Sequence, residues 1–408
     1  MSSLNKGEAL TGSQDADAVI RAAVAEPRSD EDVRELAARV GHARLQGLAR
    51  LSSFHGVAGY VYRALGDADV VSAAEREMLA AVRTRVVMTH LAVLQELEVV
   101  GGAFEEEGIP WVVIKGPVLA ERIHGSVELR GYTDLDVVVP PTRLADAVAA
   151  LEGRGAVTLD RNWELLHGTV KGELHVRMPA GITLDLHWHL LNSRRLRDEF
   201  TIDLRGIFDR VRSVHVGERL VPTMSSADSI VYVALHAMLS GGHRLVWLKD
   251  LERLLVREDW VTDDVQIIAE SWGASLALHT ALSRAGRIIG SSPGARSIRI
   301  RPRTGHLWAW IDDAACRLAP VEQEDGSGSL GRLVARSVRP TLRASLTEGS
   351  RRTVSFLRDR RNDVLPVERT SHDPQNPGSV LFPTGDEATK RAYFESVVRE
   401  AKRIGNCV

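Results

Sequence analysis

At 408 residues the chain is long for one domain and points to two or three. A hydrophobic fraction of 44% and a charged fraction of 26% are ordinary for a folded protein, and a formal net charge of −2 gives no global basic field to recruit nucleic acid or an anionic membrane. The two cysteines, Cys316 and Cys407, lie too far apart in sequence for a disulfide framework or a zinc knuckle, and they suit a reducing, cytoplasmic compartment.

The opening MSSLNKGEALTGSQDADA is polar, lacks the apolar centre of a signal peptide, and reads as disordered over residues 1–15. Residues 16–108 carry helical spacing, with Val33, Leu36, Val40, Leu45 and Leu48 in series and apolar positions every three or four residues from Val70 to Gly108. Ser72 is placed to cap that long helix, with Glu75 as its capping-box partner. Apolar runs are all interrupted well short of the roughly eighteen residues of a membrane span, so none is expected.

The pattern changes at Trp111-Val-Val-Ile114, a short β-branched run that reads as a buried strand. Lys115-Gly116-Pro117 breaks it and opens a helix over Val118–Ile123. A second strand runs Asp134–Val139, and an amphipathic helix spans Thr142–Arg154 with Gly155 as its stop. Val170–Val176 and Ile182–His189 read as two more strands, so residues 109–222 form an α/β unit around a small mixed sheet. A helical domain follows over residues 223–290, with Ser225 as N-cap and Asp228 at the third helical position. Ser291–Pro302 is a linker. Residues 291–408 form a helical C-terminal extension with a loop at 359–386 and a last helix from about Asp386 to Arg403. The fold class is therefore α+β, a small mixed sheet flanked by helical regions on both sides in sequence.

The chemistry concentrates in Lys115-Gly116, Arg130-Gly-Tyr-Thr-Asp134-Leu-Asp136 and Asp185-Leu-His187-Trp-His189. Side chains two apart on a strand share a face, so Asp134 and Asp136 stand side by side, and a divalent cation removes their mutual repulsion. Magnesium suits hard carboxylate oxygens and completes its shell with substrate phosphates. If the strand carrying Asp185 lies beside the first, three carboxylates can hold two metal ions across an in-line displacement. Gly116 lets a phosphate approach the backbone, while Lys115 and Arg130 supply positive charge, which together match phosphoryl-type chemistry.

On those residues the chain resembles the nucleotidyltransferase superfamily that includes DNA polymerase beta. Within it the resemblance is to an uncharacterised bacterial nucleotidyltransferase family with a Lys-Gly, Arg-x-x-x-Asp-x-Asp, Asp-x-His-Trp pattern. Here that pattern is Ile114-Lys115-Gly116, Leu129-Arg130, Asp134-Leu-Asp136 and Leu184-Asp-Leu-His-Trp188, supported by Ser53-Phe-His-Gly-Val57, His236 and Leu245-Val-Trp-Leu-Lys-Asp250. The resemblance implies transfer of a nucleoside monophosphate from a nucleoside triphosphate such as ATP, with release of pyrophosphate. It implies Asp134, Asp136 and Asp185 as metal ligands (two Mg²⁺, with Mn²⁺ as a substitute), Asp185 as the base, and Lys115, Gly116, Arg130 and His187 as nucleotide contacts. The superfamily's Gly-Ser phosphate motif is replaced by Lys115-Gly116. The acceptor is open among small molecules, peptides and proteins, and nucleic acid is not favoured.

Plainer readings stand beside these. Asp185 could cap a turn after Gly181, and Arg130 could pair with Asp134 or Asp136 as a core salt bridge. Lys115 could be a solvated loop lysine. His187 orients a carboxylate or lines a pocket, and His189 reads as a structural polar residue. His236 reads as a core histidine, and Lys249 and Asp250 as surface helix partners. The arginine tract Arg296–Arg303 reads as a solvated connector. Two other functions use the same residues: a phosphotransferase, or a nucleotide-binding module without catalysis.

Overall fold

The computed structural model describes residues 6–25, 29–290, 298, 305–318, 330–361 and 373–406. At its centre is a seven-stranded mixed sheet: β1 Val112–Val113, β2 Asp134–Val138, β3 Val157–Thr158, β4 Glu173–Arg177, β5 Thr183–His187, β6 Arg212–Val216 and β7 Arg219–Thr223. The spatial order is β3-β4-β5-β2-β1-β7-β6. β2 and β5 are parallel, with Asp136 opposite Asp185 and Val138 opposite His187. β4 runs antiparallel to β5 and sets His175 opposite Asp185 and Glu173 opposite His187.

Period-two alternation divides these strands into two chemically different faces. Leu135 and Val137, Leu184 and Leu186, and Leu174 and Val176 point one way into an apolar core. That core is closed by Val93, Leu97, Val100 and Phe104 of the helix Ala73–Glu106, by Leu144, Val148 and Leu151 of Leu144–Gly153, and by Tyr393 and Val397 of Glu387–Arg403. The other face of the central strands carries Asp134, Asp136, Asp185, His187, Glu173 and His175. On that side a second core joins the first helices of the chain to Ser226–Leu239, Leu245–Arg257 and Ser275–Ile288. The regions 16–108 and 223–290, read from sequence as separate helical blocks, therefore share one core.

Local signals place several helices. Ser72 accepts a hydrogen bond from Glu75 N, and Ser225 accepts one from Asp228 N. Glu75 does not close a capping box, however. Its carboxylate accepts from Gly47 N at 2.7 Å and Ala49 N at 2.9 Å, capping the neighbouring helix Leu48–Phe54 instead. Gly59 has a steric purpose, since a Cβ there would lie 1.9 Å from Glu128 O, and this close approach seats Ala58–Leu65 against the turn Val127–Leu129.

Several boundaries differ from the sequence expectation. A helix spans Lys6–Val24, so the segment 1–15 is not wholly irregular; Ala16, Val19, Ile20 and Ala23 dock one side of that helix in the core. The strand expected over Val170–Val176 starts at Glu173, because Asn162 caps a helix Trp163–Thr169 that ends with Val170 at φ 47. The hairpin β6–β7, turning at Gly217 (φ 57), adds two strands to those expected within residues 109–222. In the loop expected at 359–386, the helix Leu342–Arg361 runs into its start. The part at 373–386 is pinned by Asn162, which donates to Pro377 O at 2.9 Å and Ser379 O at 2.8 Å. The last helix follows the Asp386 cap as expected. The linker Ser291–Pro302, apart from Ile298, and the tract Arg296–Arg303 lie outside the described residues. The helix Ala73–Glu106 is long and apolar enough by length and composition to cross a membrane; in this fold its buried side packs on the sheet.

Candidate active site

The parallel register of β2 and β5 brings Asp136 and Asp185 together from positions far apart in sequence. Asp136 is 1% exposed. Its Oδ1 lies 2.9 Å from Lys115 Nζ and 3.3 Å from His187 Nε2, whereas its Oδ2 is buried with no hydrogen-bond partner among the described residues. Donor atoms of Asp136, Asp185 and His187 all fall within 4.8 Å of one another. Asp134, on the same face one pleat earlier, lines the adjoining cleft with Asp136 but stands outside that trio.

The electrostatics follow from burial and proximity. Burial would raise Asp136, but the Lys115 ammonium and His187 outweigh it and hold the carboxylate well below its usual range. Burial, then the facing Asp136 charge, push Asp185 up to about 7. Asp134 is also raised, by burial and then by Asp136. Two carboxylates whose acidities are driven apart cannot both ionise without a countercharge. The orphaned Asp136 oxygen and the three converging donors fit a divalent cation, with hard oxygens for magnesium or manganese and an imidazole beside them.

His187 is aligned by its other nitrogen, with Nδ1 lying 3.4 Å from Glu173 Oε2. Glu173 is held down to about 2; burial opposes the charge, and the surrounding His187, Lys171 and His175 favour it. His175 continues the row, 2.9 Å from Asp160. Neither Glu173 nor His175 was singled out from sequence. Their signal was the alternation Lys171-x-Glu173-x-His175, which places all three on one face once the strand is set in register. His189 turns elsewhere and accepts from Leu191 N at 3.0 Å, a structural role.

Beside the carboxylates opens a cleft of about 790 Å³, bounded by the sheet's polar face and the helices over it. Its walls include Lys115, Gly116, Tyr132, Tyr232, His236 and Trp247. Gly116, at φ 62, makes the turn from β1 into the helix Pro117–Ile123, and a Cβ there would sit 3.4 Å from Asp134 O. His236 is not packed as a core histidine; it lines the cleft, and burial followed by the Lys115 charge lowers it to about 3, so the ring is neutral.

Arg130 makes a different contact from any considered in the sequence. It is buried and forks onto Asp250, with Nε–Oδ1 at 2.7 Å and Nη2–Oδ2 at 2.8 Å, and its Nη1 donates to Gly116 O at 3.3 Å. Among the described residues it pairs with neither Asp134 nor Asp136, and its guanidinium braces the cleft wall. His124 Nε2 lies 2.8 Å from the same Asp250 oxygen, and Tyr60 hydrogen-bonds His124 Nδ1 at 2.7 Å. Asp250 and Lys249 are thus buried at 2% and 1% exposure, which corrects their reading as surface partners. The Ser53–Val57 segment joins the same frame, since His55 O accepts from Val246 N and Gly56 O accepts from Gly131 N.

The sequence model of a family described as "Uncharacterised nucleotidyltransferase" matches residues 42–290. No curated protein matches the chain. Among solved structures, the solution structure of the antibiotic-resistance factor ANT(2'')-Ia is similar over 45% of this chain and 90% of that one, at 12% identity and a TM-score of 0.32.

Removing one partner of the Arg130–Asp250 pair leaves a buried charge alone. Arg130→Met is expected to cost about 3–5 kcal/mol in urea denaturation, and the double variant Arg130→Met/Asp250→Leu to regain most of it. A second expectation concerns pH. The folded protein holds the Asp185 proton up to about 7, whereas the unfolded carboxyl releases it near 3.8. The folded state binds more protons between those values, so the Asp185 contribution to stability falls as pH rises through that window. In EDTA, Asp185→Asn should melt above wild type at pH 8 and together with it at pH 3.5; equal melting at both would contradict the site's electrostatics.

Proposed function

The chain belongs to this nucleotidyltransferase family, and from that premise we propose that it moves a nucleoside monophosphate from a nucleoside triphosphate to an acceptor, releasing pyrophosphate, in a metal-dependent reaction at Asp134, Asp136 and Asp185. The observation that carries this reading is the facing pair Asp136–Asp185, with a buried Asp136 oxygen left without a partner among the described residues. Such a pair is poorly tolerated by itself and is completed by a cation. Mg²⁺, as two ions or with Mn²⁺ in its place, would be held by Asp134, Asp136 and Asp185 with His187 alongside, and would supply Lewis-acid neutralisation of the phosphate oxygens.

The protein's own groups supply the rest. Asp185, whose carboxyl is raised to about 7 in the metal-free site, would be held ionised by the bound cation and so placed to take the proton of an acceptor O–H or N–H. The acceptor's electron pair forms a bond to the α-phosphorus. The bond from that phosphorus to the bridging oxygen breaks, and pyrophosphate leaves with its electron pair. Lys115 stands 2.9 Å from Asp136, where its ammonium can meet charge on the leaving phosphates. His187, aligned by Glu173, holds the Asp136 carboxylate in orientation and borders the phosphates. Arg130 acts as a positioning residue, fixing the Gly116 turn through Gly116 O. The cleft volume and the Tyr132, Tyr232 and Trp247 rings suit a nucleotide base and sugar.

The test is incubation of the protein with Mg²⁺, each nucleoside triphosphate and a fractionated extract of small molecules, peptides and proteins. A product heavier by a nucleoside monophosphate, together with pyrophosphate, is expected, and Asp134→Ala/Asp136→Ala should lower the rate about a thousandfold or more. A product gaining only a phosphate group, or a double variant as active as wild type, would overturn the reading.

A further inference from the structure

Away from the carboxylates, the cleft wall is built of arginines. Arg244 opens the helix Leu245–Arg257 as its N-cap residue, and Arg332 and Arg336 come from the helix Leu330–Arg336. That helix lies beyond residues 42–290, the extent of the family match. The three arginines line the cleft together with His243, which is lowered to about 2 by burial and then by the charges of Arg332, Arg336 and Arg244. His243 is therefore neutral and adds nothing to the positive charge there. Arg244 makes one hydrogen bond among the described residues, Nε to Phe54 O at 2.7 Å, and its guanidinium lies 5.7 Å from both the Phe54 and Trp247 rings. The two rings flank the guanidinium, and one of its five N–H donors is engaged among the described residues.

A buried clamp holds the outlying helix in place. Arg284 donates to Gly241 O and Gly242 O at 3.0 Å, and to Gly331 O at 3.0 Å, while pairing with Asp312. One side chain therefore ties the loop before Arg244 to the first turn of Leu330–Arg336. The stem of Arg332 passes directly over Gly241, where a Cβ would meet Arg332 Cγ at 2.5 Å. Gly241 sits at φ 108, and only glycine allows both the conformation and the approach. Arg332 is in this way directed along the cleft wall by packing.

We propose that Arg244, Arg332 and Arg336 form a phosphate-binding subsite of the cleft, completed by the helix Leu330–Arg336, that grips a phosphate group of a substrate. Planar guanidinium forks converging on a part-buried wall suit phosphate oxygens. The phosphate belongs to one of two sources: the terminal phosphates of the donor, or a phosphate carried by the acceptor. Binding there rests on the nucleotidyltransferase reading for its role in turnover, but not for its existence.

The test is calorimetric titration of the full-length protein in EDTA with tripolyphosphate, ATP and adenosine. Wild type should bind tripolyphosphate. Arg332→Gln/Arg336→Gln and, from the opposite side, Arg244→Gln should each weaken it by about tenfold or more, and Arg332→Lys/Arg336→Lys should retain most of it. If ATP weakens in parallel and adenosine does not, the donor's phosphates are the source. If tripolyphosphate weakens and ATP does not, the acceptor's phosphate is. Tripolyphosphate binding that is absent in wild type, or unchanged in both glutamine variants with wild-type melting behaviour, would overturn the subsite. Arginine-dependent binding with no nucleotidyl transfer to any acceptor would leave the subsite standing and remove the proposed reaction.

Discussion

The parallel pairing of β2 with β5 is the constraint on which the site depends. It sets Asp136 opposite Asp185 at a residue-for-residue register, and Leu135, Val137, Leu184 and Leu186 on the reverse face keep it there. A slip of β5 by one residue would turn Asp185 into the apolar core and move Leu184 and Leu186 to the polar face. The hydrophobic effect thus holds two like charges together that would otherwise separate. Burial and then the Asp136 charge raise Asp185, while the neighbouring Lys115 and His187 outweigh burial and keep Asp136 ionised.

The second organising interaction is the buried Arg130–Asp250 fork. It joins the turn after β1 to the helix Leu245–Arg257, and through His124 it reaches Tyr60 in the N-terminal helices. The Asp250 carboxylate thus ties the segment 124–130 to that helix directly, and Tyr60 to it through His124. Arg284 repeats the device further out, bringing the helix Leu330–Arg336 onto the same cleft. Both clamps are charged, buried and multidentate, a geometry in which loss of one partner costs more than the pair contributes.

Much of this was legible in the sequence because it rests on short-range rules. Strand periodicity placed Asp134 and Asp136 on one face, and the β-branched run at Trp111–Ile114 marked the strand before Gly116. The alignment of Asp185 with Asp136 required only that their strands be neighbours. What stayed hidden depends on long-range packing. Nothing local reveals that Arg130 turns to Asp250 rather than to Asp134, or that Glu75 caps a different helix from its own. The start of β4 was misplaced because Val170 is β-branched, while tertiary packing set it in the left-handed region at a helix end. Glu173 and His175 show their alternation in the sequence, but a polar strand pattern acquires meaning only once β4 is set beside β5.

Asp134, Asp136 and Asp185, with His187 alongside, are proposed to hold a divalent cation as the core of a nucleotidyl-transfer site. Anomalous diffraction from crystals soaked in Mn²⁺ tests it most directly. A peak within about 2.5 Å of carboxylate oxygens of both Asp136 and Asp185, lost in Asp136→Asn, is the predicted result. A map with no peak between those two residues at saturating Mn²⁺ would contradict the account.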